Sequence, residues 1–339
     1  MAERLERTGI IIRCIGGLYG VRLLPLSAED ALCLCRARGV FRHEKIAPLP
    51  GDTVRISPTG VPPSADPSRD AAYTIDEILP RTHALVRPPL ANLSHLAVVI
   101  PAARPAPDLT TADKLLIAAE ARGIAPLVVI TKRDLDPDGA EHLLDAYRQA
   151  GFPAFAAAAD APDLLDTLRA YIFSLDAGEK PVVAAFAGVS GAGKSTLLSR
   201  LFPTLSLKTG EVSRRAERGR QTTRHVELYM VSDGARACLI ADTPGFSLLD
   251  LTRDTALDPG QLASCFREFS PYLGKCRYTK CTHTREEGCA ILEAARTGAL
   301  PASRCASYAA IFDECKKIPE WKRKQEAAHG EGNIPRSAR

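Results

Sequence analysis

The sequence predicts an α/β protein in three parts: a small N-terminal β-barrel, a parallel-sheet nucleotide-binding domain, and a C-terminal helical unit built around a metal site. Three observations carry this. Short strand-like runs fill residues 9–87. From residue 96, apolar strand-like runs alternate with helical stretches, and one strand–helix junction reads "GVSGAGKST" (188–196). Further on, "CRYTKCTHTREEGC" (276–289) gathers three cysteines and a histidine. The expected divisions are 1–90, 91–250 and 251–339.

A chain of 339 residues exceeds one ordinary domain. With 45% hydrophobic and 25% charged residues it can bury a core, which argues against wholesale disorder. The net charge of +4 divides as +2, −2 and +4 over the three expected parts. Mildly basic ends permit a nucleic-acid partner without requiring one. The N-terminal "MAERLERTGIIIRC" has acidic residues and a very short apolar run, unlike a secretory signal. The longest apolar runs fall far short of a membrane span. The expectation is a cytoplasmic protein with no membrane partner. There, ten cysteines indicate free thiols and a metal site rather than disulfides. Cys14, Cys33, Cys35, Cys238, Cys265, Cys305 and Cys315 read as small core residues.

In the first part, "GIIIRCIGGLYGVRLL" is two β-rich runs about a glycine turn, a hairpin pattern. "ALCLCRARGVF", "GDTVRIS" and "AYTIDEIL" supply further strands, and "PTGVPPSADPSRD" is a loop. About five strands in eighty residues suggest an OB-like barrel, though an SH3-like barrel gives nearly the same pattern.

The middle part reads "LAVVI" (96–100) strand, 112–122 helix, "PLVVI" (126–130) strand and 138–150 helix. "FPAFA" (152–156) strand, 162–176 helix, "PVVAAFA" (181–187) strand and 193–202 helix follow, then strands in "HVELYMV" and "ARACLIA". Continuously apolar strands alternating with helices mean a parallel sheet covered on both faces.

"GVSGAGKST" fits G-x-x-x-x-G-K-[ST] between strand and helix. Gly188, Val189, Ser190, Gly191, Ala192 and Gly193 offer backbone N–H groups to phosphate oxygens at a helix N-terminus. Lys194 neutralises β- and γ-phosphates, the Ser195 hydroxyl ligates Mg²⁺, and Thr196 continues the loop into the helix. In "ADTPGF", Asp242 ends a buried strand and would hold Mg²⁺ through water, while the Gly245 N–H senses the γ-phosphate. In "RGRQTTRH", Thr222 or Thr223 would close over Mg²⁺ and γ-phosphate.

"TKRD" after the strand 126–130 places Thr131, Lys132, Arg133 and Asp134 where a guanine-reading turn belongs. A carboxylate at Asp134 accepts from N1–H and the 2-amino group, a donor pair that adenine lacks. This turn precedes the phosphate loop, the reverse of the small-GTPase order. Beginning instead at Pro181 and returning from D-T-P-G to "LAVVI" restores that order, so the domain reads as a circularly permuted GTPase, with GTP and Mg²⁺ as its ligands. A P-loop ATPase or kinase with an accidental "TKRD" is the competing reading. In the permuted chain the segment after D-T-P-G leads into the C-terminal part, a direct route for nucleotide state to reach it.

Cys276, Cys281, His283 and Cys289 form C-x4-C-x-H-x5-C, a complete tetrahedral donor set for one structural Zn²⁺ with no open position.

A small barrel, a permuted GTPase and this cysteine–histidine spacing together resemble the ribosome small-subunit-dependent GTPases (the RsgA/YjeQ family). The likeness runs from about Gly9 to Cys315 through "GDTV", "ILPRTHALVRP", "ANLSHLAVVI", "GVSGAGKSTLL", "GRQTTRHVEL" and "DTPGF". It implies an OB-fold and a zinc domain that contact 16S rRNA of the 30S subunit, a monomer acting late in subunit maturation, and GTP hydrolysis stimulated by the subunit. Arg36, Arg38 and Arg42 are candidate RNA contacts. A nucleotide-gated binding switch with vestigial hydrolysis is the alternative.

Three departures from the family pattern stand out. Thr131 replaces the usual Asn, "AAAA" (156–159) keeps only the backbone of the second base loop, and Gln221 replaces a His. Phe246 follows D-T-P-G where small GTPases carry a water-positioning Gln. Gln221 is therefore the candidate for orienting the attacking water.

Overall fold

The computed structural model describes residues 6–27, 31–43, 46–59, 71–85, 89–158, 161–203, 205, 226–242 and 259–318. The predicted hairpin forms as β1 (Arg7–Ile15) and β2 (Leu18–Leu23), turning at Gly16–Gly17. β3 (Cys33–Ala37), a single helical turn α1 (Val40–His43), β4 (Thr53–Pro58) and β5 (Tyr73–Ile78) follow. The pairing runs β1-β2-β3-β5-β4 and returns to β1, closing the barrel, with β3–β5 parallel and the other pairs antiparallel. That connectivity is the OB pattern. Alternation puts Ile11, Val21, Cys35, Val54, Ile56 and Ile75 inside, all essentially without exposure.

A two-stranded ribbon, β6 (Ala84–Leu85) with β7 (Leu90–Ala91), joins barrel to sheet. Asp52, fully buried, receives both Nε and Nη2 of Arg81 at 2.7 Å and the Leu49 N–H at 2.7 Å. Asn92 gives its amide to Gly51 O (2.9 Å) and accepts from Thr82 N (2.8 Å). The "GDTV", "PRTH" and "ANL" stretches thus fasten one another at the domain junction.

The sheet continues with β8 (His95–Pro101), α2 (Leu109–Glu120), β9 (Ala125–Thr131), α3 (Pro137–Gln149), β10 (Ala154–Ala156) and α4 (Pro162–Ser174). Then come β11 (Val183–Ala187), α5 (Lys194–Leu201), β12 (Glu227–Ser232) and β13 (Ala237–Asp242). Helix starts follow local chemistry. Asp108 and Asp136 accept from Thr111 N and Gly139 N, so α2 and α3 begin at the caps. Pro137 and Pro162 occupy first-turn positions.

The strand order is β10-β9-β8-β11-β13-β12. β11, which feeds the phosphate loop, lies between β8 and β13 in parallel register, with Ala184 opposite both His95 and Ile240. This is the sheet the rotated reading requires. α2 and α3 cover one face through residues such as Leu115, Leu116, Leu144 and Tyr147. α4 and α5 cover the other through Leu165, Leu168, Ile172, Leu197 and Leu201. A single bridge, Arg13 opposite Glu227, joins β12 to β1, so barrel and sheet form one eleven-stranded system.

The C-terminal unit has two 3-10 turns, Leu262–Cys265 and Arg267–Tyr272, then α6 (Ala290–Arg296) and α7 (Ala302–Lys317). Its core of Phe266, Phe269, Ile291, Tyr308 and Ile311 includes Ile117 of α2. The unit is locked to α2 and α3 by Arg304, which is 2% exposed. Arg304 Nε donates to Glu268 at 2.6 Å and its Nη1 pairs with Asp113 of α2. Its guanidinium lies 4.7–5.6 Å from the ring centroids of Phe266, Phe152 and Tyr147. Burial opposes the Arg304 charge, but Asp113 and Glu268 more than offset it and raise its pKa.

Cysteine placement differs from the all-core expectation at two positions: Cys14 and Cys265 are half-buried, while Cys33, Cys35, Cys238, Cys305 and Cys315 are buried. Cys14 and Cys265 sit where a strand and a 3-10 turn are ending, positions that the neighbouring chain does not fully cover. Among the described residues no helix is long and apolar enough to cross a membrane.

Candidate functional site

The loop between β11 and α5 is shaped by two glycines. A Cβ on Gly188 would stand 2.2 Å from Val99 O, so the loop can leave β11 only with glycine there. Gly193 caps α5 with φ +89°, a left-handed conformation that side chains avoid. The result is a turn that folds back over the first turn of α5. Lys194 Nζ donates to Gly188 O (2.8 Å) and Val189 O (2.9 Å), anchoring the ammonium across the loop. Burial lowers its pKa from the ordinary lysine value. Ser195 and Thr196 are exposed at the start of α5.

β9 delivers the T-K-R-D turn to the same place. Thr131 ends that strand, 5% exposed, and its hydroxyl donates to Ala192 O at 2.6 Å. Lys132 follows with φ +59°, and its Nζ donates to Arg104 O. Arg104 is also left-handed (φ +44°), and Pro105 would sit 3.5 Å from a Cβ on Gly191. Two non-glycine residues in this region, each costing about 1–2 kcal/mol, mark a tightly constrained junction between the 102–108 segment, the phosphate loop and the T-K-R-D turn.

A cavity of about 220 Å³ opens here, lined by Thr131, Lys132, Asp134, Leu135, Ala157, Ala158, Leu165, Gly193, Thr196, Leu197 and Arg200. Its walls are mainly apolar, with one carboxylate at Asp134, the composition suited to a flat heterocycle held by a few polar contacts. Sequence motifs named Thr131, Lys132, Asp134, Gly193 and Thr196 of this set. Leu135, Leu165, Leu197 and Arg200 were missed. The α5 residues Leu197 and Arg200 follow the loop by one helical turn, and that spacing was the available signal. Arg133 turns the other way: its Nε donates to Glu141 at 3.0 Å and it does not line the cavity. The Ala157 N–H is used by Ile130 O at 2.7 Å. A donor for a base carbonyl from the 156–159 stretch therefore falls to Ala158 or to Ala159, and the latter lies outside the described residues.

Asp242 closes β13, in register with Glu227, and its side chain lies outside the described residues. Gln221, Thr222, Thr223 and Gly245 lie outside them too.

The second site is in the C-terminal unit. The donor atoms of Cys276, Cys281, His283 and Cys289 all lie within 4.8 Å of one another. Cys276 Sγ is 3.4 Å from His283 Nδ1 and 3.9 Å from Cys289 Sγ, and Cys289 Sγ is 3.5 Å from the same nitrogen. Zn–S bonds of about 2.3 Å at tetrahedral angles put sulfurs about 3.8 Å apart. The donor set fits. Glu286 organises the loop by accepting from Thr282 N (2.7 Å), Thr284 N (3.1 Å) and Arg285 N (3.1 Å). Partial burial works against its charge, but the Thr282 hydroxyl, followed by the N–H groups of Thr282 and Arg285, prevails and brings its carboxyl down to about 2. Tyr308 of α7 donates to Thr282 O at 2.8 Å, tying the metal loop to the aromatic core.

Comparison with known proteins adds to this geometry. A family model described as the RsgA GTPase matches residues 78–252, and one described as the RsgA N-terminal domain matches 8–61. A small ribosomal subunit biogenesis GTPase RsgA from Ruminiclostridium cellulolyticum is 37% identical over 317 residues, 94% of this chain and 96% of that protein. One of the same name from Moorella thermoacetica is 36% identical over 306 residues, 90% and 96% of the two chains. The crystal structure of YjeQ from Thermotoga maritima superposes with a TM-score of 0.71 at 26% identity, covering 93% of this chain and all of that one. YloQ, described as a circularly permuted GTPase, gives 0.68 at 29%, covering 94% and 99%.

Proposed function

The chain belongs to the RsgA GTPase family, and from that premise we propose that it hydrolyses GTP as a maturation factor of the small ribosomal subunit, with the subunit accelerating hydrolysis. The observation that carries the guanine reading is the joining of two motifs around one cavity. T-K-R-D reaches the phosphate loop through the Thr131–Ala192 hydrogen bond, with Asp134 on the cavity wall.

In this reading the 188–195 backbone and Lys194 bind the phosphates and Asp134 accepts from N1–H and the 2-amino group of guanine. Ser195, Asp242 and Thr222 or Thr223 hold Mg²⁺, which supplies charge neutralisation of the β- and γ-phosphates. Gln221 orients the attacking water and Gly245 responds to the γ-phosphate. Cys276, Cys281, His283 and Cys289 hold one structural Zn²⁺.

The barrel and the metal-bearing unit would contact 16S rRNA. A cavity of about 910 Å³ on the barrel, lined in part by Tyr19, Arg36, Arg38 and Phe41, supports that assignment. It sets one tyrosine, Tyr19, beside two arginines over the buried Phe41, residue types that single-stranded RNA favours. Arg38 is braced by Asp76, and the Arg42 side chain lies outside the described residues.

Phosphate release from GTP and ATP, each with and without purified 30S subunits, tests the proposal. GTP-selective release that rises strongly with subunits is expected. Tight GTP binding without stimulation would replace it with a nucleotide-gated binding switch, and equal use of ATP would remove the guanine reading.

A further inference from the structure

Among the residues that line the base cavity, Lys132 and Arg200 carry the side-chain N–H donors. They stand at different parts of it. The Lys132 stem follows the phosphate loop: its Cε lies 4.0 Å from where a Cβ on Gly193 would stand, and its ammonium donates to Arg104 O. Arg200 comes from the far end of α5, four residues beyond Thr196 and so about 6 Å farther along the helix axis from the loop.

The last turn of α5 is held in place from α4. Arg169 donates through Nε to Leu201 O (2.8 Å) and through Nη2 to Arg200 O (3.2 Å), satisfying two carbonyls at the helix C-terminus. Ala157 after β10, Leu165 of α4 and Leu197 of α5 all line the cavity and share one apolar cluster. Arg200 therefore belongs to the flank of the 156–159 stretch. That flank has no side chain of its own with which to read a base. Residues 156–159 are all alanine, and the Ala157 N–H is spent on Ile130 O.

With the N1–H and 2-amino edge of guanine on Asp134, the next polar group around the six-membered ring is O6, a carbonyl with two lone pairs. A guanidinium carries five N–H donors, so Arg200 can serve O6 while keeping its other contacts. Toward adenine the same group is adverse, because the 6-amino group is itself a donor.

We propose that Arg200 is a specificity-determining residue whose guanidinium donates to O6 of the bound guanine. Asp134 selects for donors at N1 and C2, and Arg200 selects for an acceptor at C6. The proposal rests on the guanine reading of the cavity given above.

Equilibrium competition against a fluorescent GDP tests it, with the full chain and its Arg200→Met variant each titrated with GDP, 6-thio-GDP and ADP. The thio analogue replaces O6 by sulfur, a weak acceptor, and keeps N1–H, the 2-amino group and N7. Sulfur is also larger, but that effect is common to both proteins and cancels when their ratios are compared. The wild-type chain should prefer GDP over 6-thio-GDP, and Arg200→Met should reduce that preference by about fivefold, the net worth of one hydrogen bond. The preference of the variant for GDP over ADP should fall by a similar factor yet stay well above one, because Asp134 remains. Arg200 is exposed, so the variant should keep the wild-type melting temperature. Stacking on the base, or attraction of the phosphates, would instead weaken GDP and 6-thio-GDP alike. A ratio of the two that is the same in both proteins would therefore overturn the proposal while leaving the guanine reading intact. Equal binding of GDP and ADP by the wild-type chain would remove both.

Discussion

Replacing Arg304 by Met would remove the only charge that Asp113 and Glu268 are paired with in the described interface, while retaining a flexible apolar chain of similar reach. Asp113 is fully buried and Glu268 9% exposed, so neither carboxylate can recover its hydration. Breaking a buried pair in this way costs about 3–5 kcal/mol. An independent bound gives nearly the same figure. A buried acid can escape by taking up a proton, which at pH 7 costs about 1.4 kcal/mol for each unit above its ordinary pKa, or about 4 kcal/mol. Burial already pushes Asp113 upward against the opposing pull of Arg304, Ser307 and Tyr147. The sign with pH follows. In Arg304→Met the folded-state pKa of Asp113 exceeds the unfolded one, so folding takes up a proton and the deficit shrinks as pH falls from 7 toward 5. Urea unfolding followed by circular dichroism at pH 5, 6 and 7 measures it. The triple variant Arg304→Met, Asp113→Asn, Glu268→Gln should regain most of the loss. A deficit under about 1 kcal/mol, or one of 4 kcal/mol that ignores both pH and the added substitutions, would refute the electrostatic account and leave packing beneath Phe266, Phe152 and Tyr147 as the cause.

Asp134→Asn presents an amide donor to the base, so the protein should turn from GDP toward xanthosine diphosphate, whose C2 carbonyl accepts. The ratio of the two affinities should swing by about 100-fold or more, as read by competition binding. Chelation of the metal, or Cys281→Ser, should make residues 259–318 protease-sensitive, with recovery on adding Zn²⁺ to the wild-type chain. Protection that survives verified metal loss would contradict the structural role. His83 has both ring nitrogens buried without a partner, and burial, aided by Arg122 and Lys180, lowers its pKa to about 4. The unfolded chain then binds a proton below about pH 6.5 that the folded one refuses, so stability falls between pH 6.5 and 4. Allowing for partial exposure the loss is about 2 kcal/mol, and His83→Leu should flatten that limb of the stability–pH curve.

The sequence was most readable where function is written in consecutive residues. The phosphate loop, T-K-R-D and the cysteine–histidine spacing each state their chemistry within fourteen residues, and the strand rhythm was enough to recover the permuted sheet. Helix edges moved by a few residues because caps, not apolar periodicity, set them: α2 starts at Leu109 because Asp108 accepts from Thr111 N. What stayed hidden is tertiary. Arg133 looked like part of the base turn, but Glu141 on the following helix holds it away. Leu165 enters the cavity from α4, and no local pattern ties it to residues thirty positions earlier or later. No local pattern marks Arg304 or Asp113, because only the docking of α7 on α2 takes them out of water.

The Arg13–Glu227 bridge has a consequence for solubility. β12 is the outermost strand of the nucleotide-binding sheet, and such a strand offers a row of unpaired backbone groups to any chain that approaches it. In this protein the position beside it is taken by β1 of its own barrel. The barrel thus doubles as a guard for that flank, holding its own strand against β12 at the Arg13–Glu227 position. A nucleotide-binding domain cut free of its barrel would keep its helices and its cavity but show that flank to its neighbours.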